Sequence, residues 1–243
     1  MMAITPRSMV DSLNKFCLVW DKAGLTLASN RSNIYKLGNN LSRVSWDSNQ
    51  QIVLKDNEFS SLSEYLTLLS SSQYTLVLTD GSLIQISYTF RRNEIVGHRL
   101  CWYPSPIDIS GVTEVDEIID KTQLILKEGG DALEEHITSP DEPKYPVNVK
   151  GLYNKSPLRF DFSIMSDGEK DAHPDVHLHI SVENCRIPVK TPLCIRMFMK
   201  FILENFYSEL PTTGALINNI PSWENNDMLT PYHKKKFHFN YIR

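Results

Sequence analysis

The side chains best suited to proton transfer lie in two segments, 158–164 and 176–182, in which polar and apolar residues alternate. Because strand side chains point alternately to opposite faces, each segment presents one apolar face and one polar face. The two polar faces carry Arg159, Asp161 and Ser163 from the first segment and His177, His179 and Ser181 from the second. Imidazole, carboxylate and guanidinium groups in one place are typical of sites that transfer protons and bind phosphate.

The stretch that joins the two segments, 165–175, is polar and contains a glycine and a proline, which predicts a hairpin loop. An antiparallel pair whose apolar residues share one buried face would place Asp161 opposite His179. Ser163 would then lie opposite His177. A slip by two residues changes these partners but keeps all the polar groups on one surface. We therefore predict that the two strands build a single polar site.

Four interpretations of this polar face are open. In the first, His177 and His179 transfer protons, and these two imidazoles need no metal to cleave a phosphodiester bond. Asp161 would orient one imidazole and Arg159 would bind and stabilise the phosphate. In the second, the two histidines hold a zinc or manganese ion, and Asp161 or His173 completes the ligand set. The third is a solvated sheet surface without function, and the fourth is a surface that binds a protein partner.

Other polar residues extend the candidate site as binding groups. Arg186 directly follows the second segment, where it either caps the site or pairs with a neighbouring acidic residue. Gln85 and Arg99 share one face of an earlier group of strands, and they would join the site if all the strands belong to one sheet. His98 falls on the opposite, apolar face, where a histidine is more often a satisfied core residue than a catalyst.

The strand and helix patterns around these residues predict an α+β fold. Residues 73–79, 82–90 and 94–103 read as a β-meander, joined by an Asp80-Gly81 turn and a three-residue turn. Helical spacing and capping residues predict four helices, at 7–20, 61–69, 113–126 and 191–207. We expect one antiparallel β-sheet, made of the meander and the His-rich hairpin, with helices packed on one face.

Weaker patterns predict several local features. Residues 34–41 read as a further helix, 51–54 as a short strand and 233–242 as a last strand. Thr191 is predicted as the N-cap of the final long helix, with Pro192 at its first position. The Lys234–Lys236 run is either a solvated segment or a nucleic-acid contact.

The chain divides into three regions by composition. Residues 1–127 hold the first helix and the meander, and 157–243 hold the His-rich hairpin, a helix and a tail. Between them, 128–156 is rich in glycine, proline and charge, which predicts a linker or long loop. We expect the last region to share one sheet with the first.

Bulk composition limits the classes of function. The 243 residues are enough for a sizeable core, and a net charge of −4 argues against non-specific binding to duplex nucleic acid. The acidity is local, since 105–150 contains 11 acidic and 4 basic side chains, a net of −7. The chain lacks Walker A, GxGxxG, GxSxG and HExxH motifs, which disfavours nucleotide-binding, hydrolase-elbow and zincin readings.

The expected location is the cytoplasm. The longest apolar runs are far too short to span a bilayer, and the first residues lack the apolar core of a signal peptide. The four cysteines are scattered among apolar neighbours without CxxC spacing, which is typical of reduced core thiols.

Several blocks of the chain resemble, in the same order, the bacterial family known as domain of unknown function 2290. The blocks read YTLVLTDGSLIQISYTF, HRLCWYPSP, LRFDF, HPDVHLHI, NCRIPV and FMKFILENFY, and they span roughly residues 57–207. The family has no established activity, so this resemblance implies no particular reaction.

The polar site is also similar to that of small toxin proteins of bacterial toxin–antitoxin pairs. Those proteins combine a meander of Tyr-rich strands with an arginine–aspartate pair and a downstream HP…H-x-H segment. The matching residues in this chain are Arg159, Asp161, His173, Pro174, His177 and His179. The chain is longer than those toxins and lacks their Trp-Asp-Asn run, so the likeness is an analogy.

Taken together, the residues favour an effector that cleaves RNA or another nucleic-acid phosphodiester, encoded in a phage-defence or toxin–antitoxin locus. Such an effector would use either no cofactor or a divalent metal ion. Its partners would be RNA or another nucleic acid, and a protein encoded nearby, but no membrane. The alternative is a non-catalytic subunit that binds another protein of a defence or regulatory complex through the polar face.

Overall fold

The computed structural model describes residues 4–46, 62–138, 156–164, 173–180, 184–210, 215–218, 220, 222–223 and 226–240. Within these ranges the strands form one nine-stranded antiparallel sheet, and helices pack against it. The α+β class expected from the sequence is confirmed. The meander and the His-rich hairpin belong to the same sheet, which brings both groups of polar residues onto one surface.

The order of the strands sets the neighbours of each polar residue. The strands are β1 Thr26–Ser29, β2 Ser32–Gly38, β3 Leu41–Trp46, β4 Leu76–Leu78, β5 Leu83–Arg91, β6 Glu94–Tyr103, β7 Leu158–Ser163, β8 Val176–Ile180 and β9 Ile187–Pro188. They lie in the order β1-β4-β5-β6-β7-β8-β9. β3 pairs with the second half of β5, and β2 pairs with β3. β6, the last strand of the meander, therefore pairs with β7, the first strand of the His-rich hairpin.

Helices cover both faces of the sheet. They are α1 Pro6–Lys22, α2 Leu62–Ser70, α3 Val115–Thr138, α4 Ile195–Phe206 and α5 Ala215–Asn218. Leu100 and Trp102 of β6 belong to a core cluster with residues of α1, α4 and α5. The alternate residues Cys101 and Tyr103 belong to a second cluster with α2 and α3. The sequence pattern predicts all the helices on one face of the sheet. The structure places α1 and α4 on that face, whereas α2 and α3 pack on the opposite face.

The turn between β4 and β5 ties helices on both faces to the meander. Gly81 has a φ of +77°, a conformation that glycine adopts at little steric cost. The Tyr65 hydroxyl of α2 donates a 2.7 Å hydrogen bond to the Gly81 carbonyl. The Tyr207 hydroxyl, just after α4, donates to the Asp80 carboxylate at 2.9 Å. The predicted Asp80-Gly81 turn is therefore also an anchoring point for two helices.

Three local predictions are wrong. Residues 34–41 are not a helix but parts of β2 and β3, because Asn39 and Asn40 adopt positive φ and form a hairpin turn between the two strands. The predicted linker is helical over 128–138, since α3 continues to Thr138. The N-cap of α4 is Cys194, whose Sγ accepts from the Met197 amide at 3.4 Å.

The last predicted strand, 233–242, is not a regular strand in the described residues, and two other predictions lie outside them. His233–Lys235 form a 3₁₀ turn, and the following segment joins the sheet edge only through a parallel bridge between Val189 and Phe239. The predicted strand at 51–54 and the rest of the predicted linker, 139–155, lie outside the described residues.

The structure shows the state of the cysteines and the character of the helices. All four cysteines are free, and Cys17, Cys101 and Cys194 are buried. Among the described helices, none combines the length and the apolar character needed to cross a bilayer.

Candidate functional site

Three neighbouring strands, β6, β7 and β8, bring the polar residues together. Arg99 lies opposite Asp161 across β6 and β7, and Asp161 lies opposite His177 across β7 and β8. Arg159 lies opposite His179. The prediction of one shared polar face is confirmed, but the predicted register of the hairpin is wrong by two residues. Asp161 and His179 are diagonal neighbours rather than direct partners.

Asp161 is the centre of the site because two guanidinium groups hold its two oxygens. Arg99 Nε donates to Oδ1 at 3.1 Å, and Arg159 Nε donates to Oδ2 at 2.8 Å. Burial by itself would raise the pKa of Asp161. The hydrogen bond with His179 and the two arginine charges oppose burial and hold this pKa well below its usual range. The carboxylate is therefore ionised and fixed in place.

His177 is held in one tautomer by its local backbone. Its Nδ1 lies 2.7 Å from the carbonyl oxygen of Pro174, which can only accept a hydrogen bond. Nδ1 therefore carries the proton, and Nε2 has a free lone pair. Burial lowers the pKa of His177 to about 4, although the Asp161 carboxylate favours the protonated form. At neutral pH the ring is thus an uncharged imidazole that can accept a proton or bind a metal.

Two more histidines lie around His177. The ring of His179 is 4.6 Å away between centroids, and the ring of His173 is 4.9 Å away. His179 Nε2 lies 3.5 Å from Asp161 Oδ2, at the long end of the range for a hydrogen bond. Within the described part of the chain, His173 Nδ1 has no hydrogen-bond partner. The imidazoles of His173 and His179 thus lie close to the His177 ring.

The site is buried at its base and open at one side. The exposed fractions of Arg159, His177 and His179 are 2%, 4% and 2%. The interpretation of the polar face as a solvated sheet surface is therefore wrong. These residues line a cavity of about 300 Å³, at the lower end of the range for ligand pockets. Seven of the eight predicted site residues line it: Arg99, Arg159, Asp161, His173, His177, His179 and Arg186.

Gln85, the eighth predicted residue, lies on the same face but serves the fold. It is buried beside Cys101, and its Nε2 donates to the carbonyl oxygen of Gln73. His98 is a satisfied core residue. The Leu193 amide donates to His98 Nε2 at 3.0 Å, so His98 Nδ1 carries the proton that it donates to the Phe160 carbonyl. His98 thus ties α4 to the back of the strands that carry the site.

A metal ion could be held by part of the same group. Asp161, His177 and His179 each offer one ligand atom, and these atoms lie within 4.8 Å of one another. A carboxylate and two imidazoles are a common ligand set for zinc and other first-row metals. However, both oxygens of Asp161 already accept hydrogen bonds from arginines. A divalent cation would therefore be placed next to two fixed positive charges.

Sequence reasoning missed one cation beside the site. Arg43 of β3 faces Thr89 of β5 and is half-buried. Burial lowers the pKa of Arg43, and the charge of Arg99 lowers it further, which places the two guanidinium groups in one electrostatic field. The available signal was the polar alternation of 41–46, which was obscured by the helical spacing of the preceding residues. The polar face thus carries more cations than anions, with Asp161 at its centre and Asp175 as a second carboxylate in the cavity lining.

Comparisons with known proteins agree with the resemblance seen in the sequence. A family model described as "Uncharacterized conserved protein (DUF2290)" matches residues 25–241. The matched range contains every described strand and the whole polar site. Neither a curated protein nor a solved structure matches the chain significantly. Because the match covers well over half of the chain, the chain belongs to the uncharacterised conserved family DUF2290.

Proposed function

We propose that the protein cleaves RNA by acid–base catalysis in the cavity between β6 and β8. The observation that carries this proposal is the buried group of Asp161, its two arginines and the unprotonated Nε2 of His177. The cavity is lined by three arginines, Arg99, Arg159 and Arg186, and by two aspartates, Asp161 and Asp175, which leaves a net positive charge. An anionic group such as a phosphodiester complements that charge.

The chemistry assigns one role to each side chain. His177 Nε2 removes the proton of a ribose 2′-hydroxyl, and the 2′-oxygen attacks the adjacent phosphorus. The bond from phosphorus to the 5′-oxygen breaks, and protonated His179 donates a proton to that oxygen. Arg99 and Arg159 stabilise the negative charge that develops on the phosphoryl oxygens. The products are a 2′,3′-cyclic phosphate and a 5′-hydroxyl, so the reaction consumes neither water nor an oxidant.

Binding of a substrate changes the pKa of His177. A bound phosphodiester adds a negative charge close to the ring, and this charge raises the pKa of His177 from about 4 toward neutrality. The base therefore becomes stronger when substrate is present. Asp161 orients His179 while it keeps both arginines in position.

The experiment compares two conservative variants on a single-stranded RNA oligonucleotide. His177→Asn keeps a donor at the position of Nδ1, facing the Pro174 carbonyl, but removes Nε2. His179→Gln keeps a donor at the position of Nε2, facing Asp161, but cannot transfer a proton. We expect each variant to lower kcat by about 10²–10⁴. An oligonucleotide with 2′-deoxyribose at the scissile position should resist cleavage, and a cyclic phosphate should appear on the product.

A second candidate is metal-assisted phosphodiester hydrolysis, favoured by the ligand atoms that lie within 4.8 Å of one another. It predicts cleavage of the deoxy substrate, loss of activity with a chelator and recovery with zinc or manganese. Chelator-resistant cleavage confined to 2′-hydroxyl substrates would support the metal-free mechanism.

The biological part of the proposal is an effector role in a phage-defence or toxin–antitoxin locus. Expression of the wild-type chain should then arrest growth, and expression of the His177→Asn variant should not. The competing role is that of a subunit that binds a protein encoded nearby. Wild-type protein without cleavage, metal content or toxicity, combined with loss of a protein partner in the His179→Gln variant, would favour that role.

A further inference from the structure

A short basic segment lies at the edge of the sheet next to the site. We call residues 232–238 the basic edge: it contains Lys234, Lys235 and Lys236, followed by Phe237 and His238. Phe239, which directly follows the basic edge, is held beside β9 and the residues after it by two hydrogen bonds: its amide donates to the Pro188 carbonyl at 2.8 Å, and the Lys190 amide donates to its carbonyl at 3.0 Å. β9 in turn pairs with β8 at His177. Only β9 separates the basic edge from the strand that carries the proposed base.

The ring of Phe239 determines how this segment is oriented. It packs against Phe160 and Phe201, with ring centroids 5.8 and 5.4 Å apart, and so points to the face covered by α4. Phe239 thereby anchors the end of the basic edge beside the sheet. Hydrogen-bonded neighbours lie about 4.8 Å apart, so the segment is about 10 Å from β8.

The exposed groups of the basic edge match single-stranded nucleic acid. Phe237 is 78% exposed, the largest value among the large apolar side chains in the described residues. An exposed aromatic ring offers a surface on which a base can stack. Lys234 pairs with Asp227, but Lys235 forms no ion pair within the described ranges. Lysine and aromatic side chains in sequence are the usual combination for tracking a single strand.

The turn that presents these groups is fixed before any ligand binds. The His233 amide donates to Thr230 Oγ1 at 3.2 Å, and the Thr230 amide donates to His233 Nδ1 at 3.4 Å. His233 is buried, so the turn is packed into the protein. Lys236 Nζ lies 4.0 Å above the ring of Tyr232. A preorganised turn loses little conformational entropy when it binds.

We infer that the basic edge binds the part of a single-stranded RNA that flanks the scissile bond and leads the strand into the cavity. This inference rests on the proposed RNA-cleaving function and adds the substrate class, a single strand longer than a dinucleotide. A cavity of about 300 Å³ admits only a short piece of one strand. A duplex would therefore have to open before its backbone could reach His177.

The first arm of the test measures binding without cleavage. A fluorescently labelled 12-nucleotide single-stranded RNA is titrated with the His177→Asn protein, with or without Lys235→Gln, Lys236→Gln and Phe237→Ala. We expect the three added changes to raise Kd at least about tenfold and to reduce its dependence on salt. A matched control carries Lys22→Gln, Lys36→Gln and Leu124→Ala, which are exposed residues of other elements. Its Kd should stay within about twofold of the parent.

The second arm separates this inference from the proposed function. In the protein with an intact His177, the edge variant should lower the ratio of kcat/KM for the 12-mer to kcat/KM for a dinucleotide at least about tenfold. An unchanged ratio in a protein that cleaves RNA would overturn the inference and leave the proposed function intact. RNA binding that depends on the edge in a wild-type protein that cleaves nothing would overturn the proposed function instead. Absence of both binding and cleavage would reject both.

Discussion

Arg99 and Asp161 are 62 residues apart in the sequence, yet they face each other across β6 and β7 with Nε and Oδ1 separated by 3.1 Å. Arg159 approaches the other carboxylate oxygen from the same strand as Asp161. The guanidinium groups of two arginines from different strands thus share the mostly buried carboxylate of Asp161. A single carboxylate therefore both stabilises the fold and fixes two of the cations that line the cavity.

The first prediction concerns the stability that Asp161 supplies. Asp161→Asn keeps the shape of the side chain but removes the negative charge that pairs with Arg99 and Arg159. Removing one partner of a buried ion pair costs about 3–5 kcal/mol in the free energy of unfolding, and we expect the lower end because Arg99 is 32% exposed. Urea denaturation at neutral pH measures this change.

The control for that measurement is Asp11→Asn. Asp11 forms a 3.5 Å ion pair with Arg7 on the surface of α1, where both side chains are mostly exposed. Its removal should change the free energy of unfolding by less than about 1 kcal/mol. Equal effects of the two substitutions would show that Asp161 does not hold the site together.

The second prediction concerns the pH dependence of stability. Burial lowers the pKa of His98 from 6.5 to about 4, and the unfolded chain therefore binds more protons than the folded chain between these two pH values. This contribution to stability is complete above pH 6.5, falls as the pH drops to about 4 and amounts to about 3 kcal/mol. His177 has the same shift and adds to the effect. The Asp161 contribution is lost only at lower pH, below its ordinary pKa of 3.8.

The His98→Asn variant tests this assignment. It retains a donor for the Phe160 carbonyl but loses the acceptor for the Leu193 amide. We expect a loss of about 1–3 kcal/mol at pH 7.5 and a shallower decline between pH 6.5 and 4. A slope identical to that of the wild type in urea denaturation would assign the pH dependence to other groups.

The third prediction concerns anion binding. Inorganic phosphate should raise the melting temperature more than sodium chloride of equal ionic strength, because an anion bound in the cavity would stabilise the folded state alone. At 100 times Kd the gain is about 2.7 kcal/mol in the free energy of unfolding. Arg159→Gln should remove the specific response, whereas Arg7→Gln on α1 should keep it. An equal response to phosphate in both variants would contradict an anion site at Arg159.

The fourth prediction concerns the anchoring turn. A Cβ added at Gly81 would lie 3.1 Å from the side chain of Ser105 and from the Tyr65 hydroxyl, whereas a Cβ at Gly111 would meet nothing within 4 Å. Both glycines have positive φ, so Gly111→Ala should cost about 1–2 kcal/mol for the backbone alone. Gly81→Ala should cost about 1–3 kcal/mol more because of crowding. Equal losses in thermal denaturation would show that the turn adjusts freely.

Alternation in the sequence predicted the face of each site residue but not its partner. The period of two in β7 and β8 decides which side chains share a surface, and it is insensitive to a shift of two residues. The register depends on the hairpin connection, so Asp161 was paired with His179 although it faces His177. Burial of His179 could not be predicted either, because it depends on how separate segments pack around the strand.

Short-range signals were reliable where backbone chemistry decides the structure. The Asp80-Gly81 turn and the amphipathic spacing of α1 were predicted correctly for that reason. At residues 34–41, helical spacing of a few apolar residues competed with two asparagines that favour a hairpin turn, and the turn prevailed. Arg43 was missed because it lies in the strand that follows that turn.

The hydrogen bond from the Leu193 amide to His98 delays the completion of the site until late in protein synthesis. It joins residues 95 positions apart, and the strand that carries His98 also carries Arg99. The site is therefore complete only after β7, β8 and the start of α4 have left the ribosome. Under the proposed function, we expect a nascent chain to be inactive for most of its synthesis, which would protect its own messenger and the ribosome.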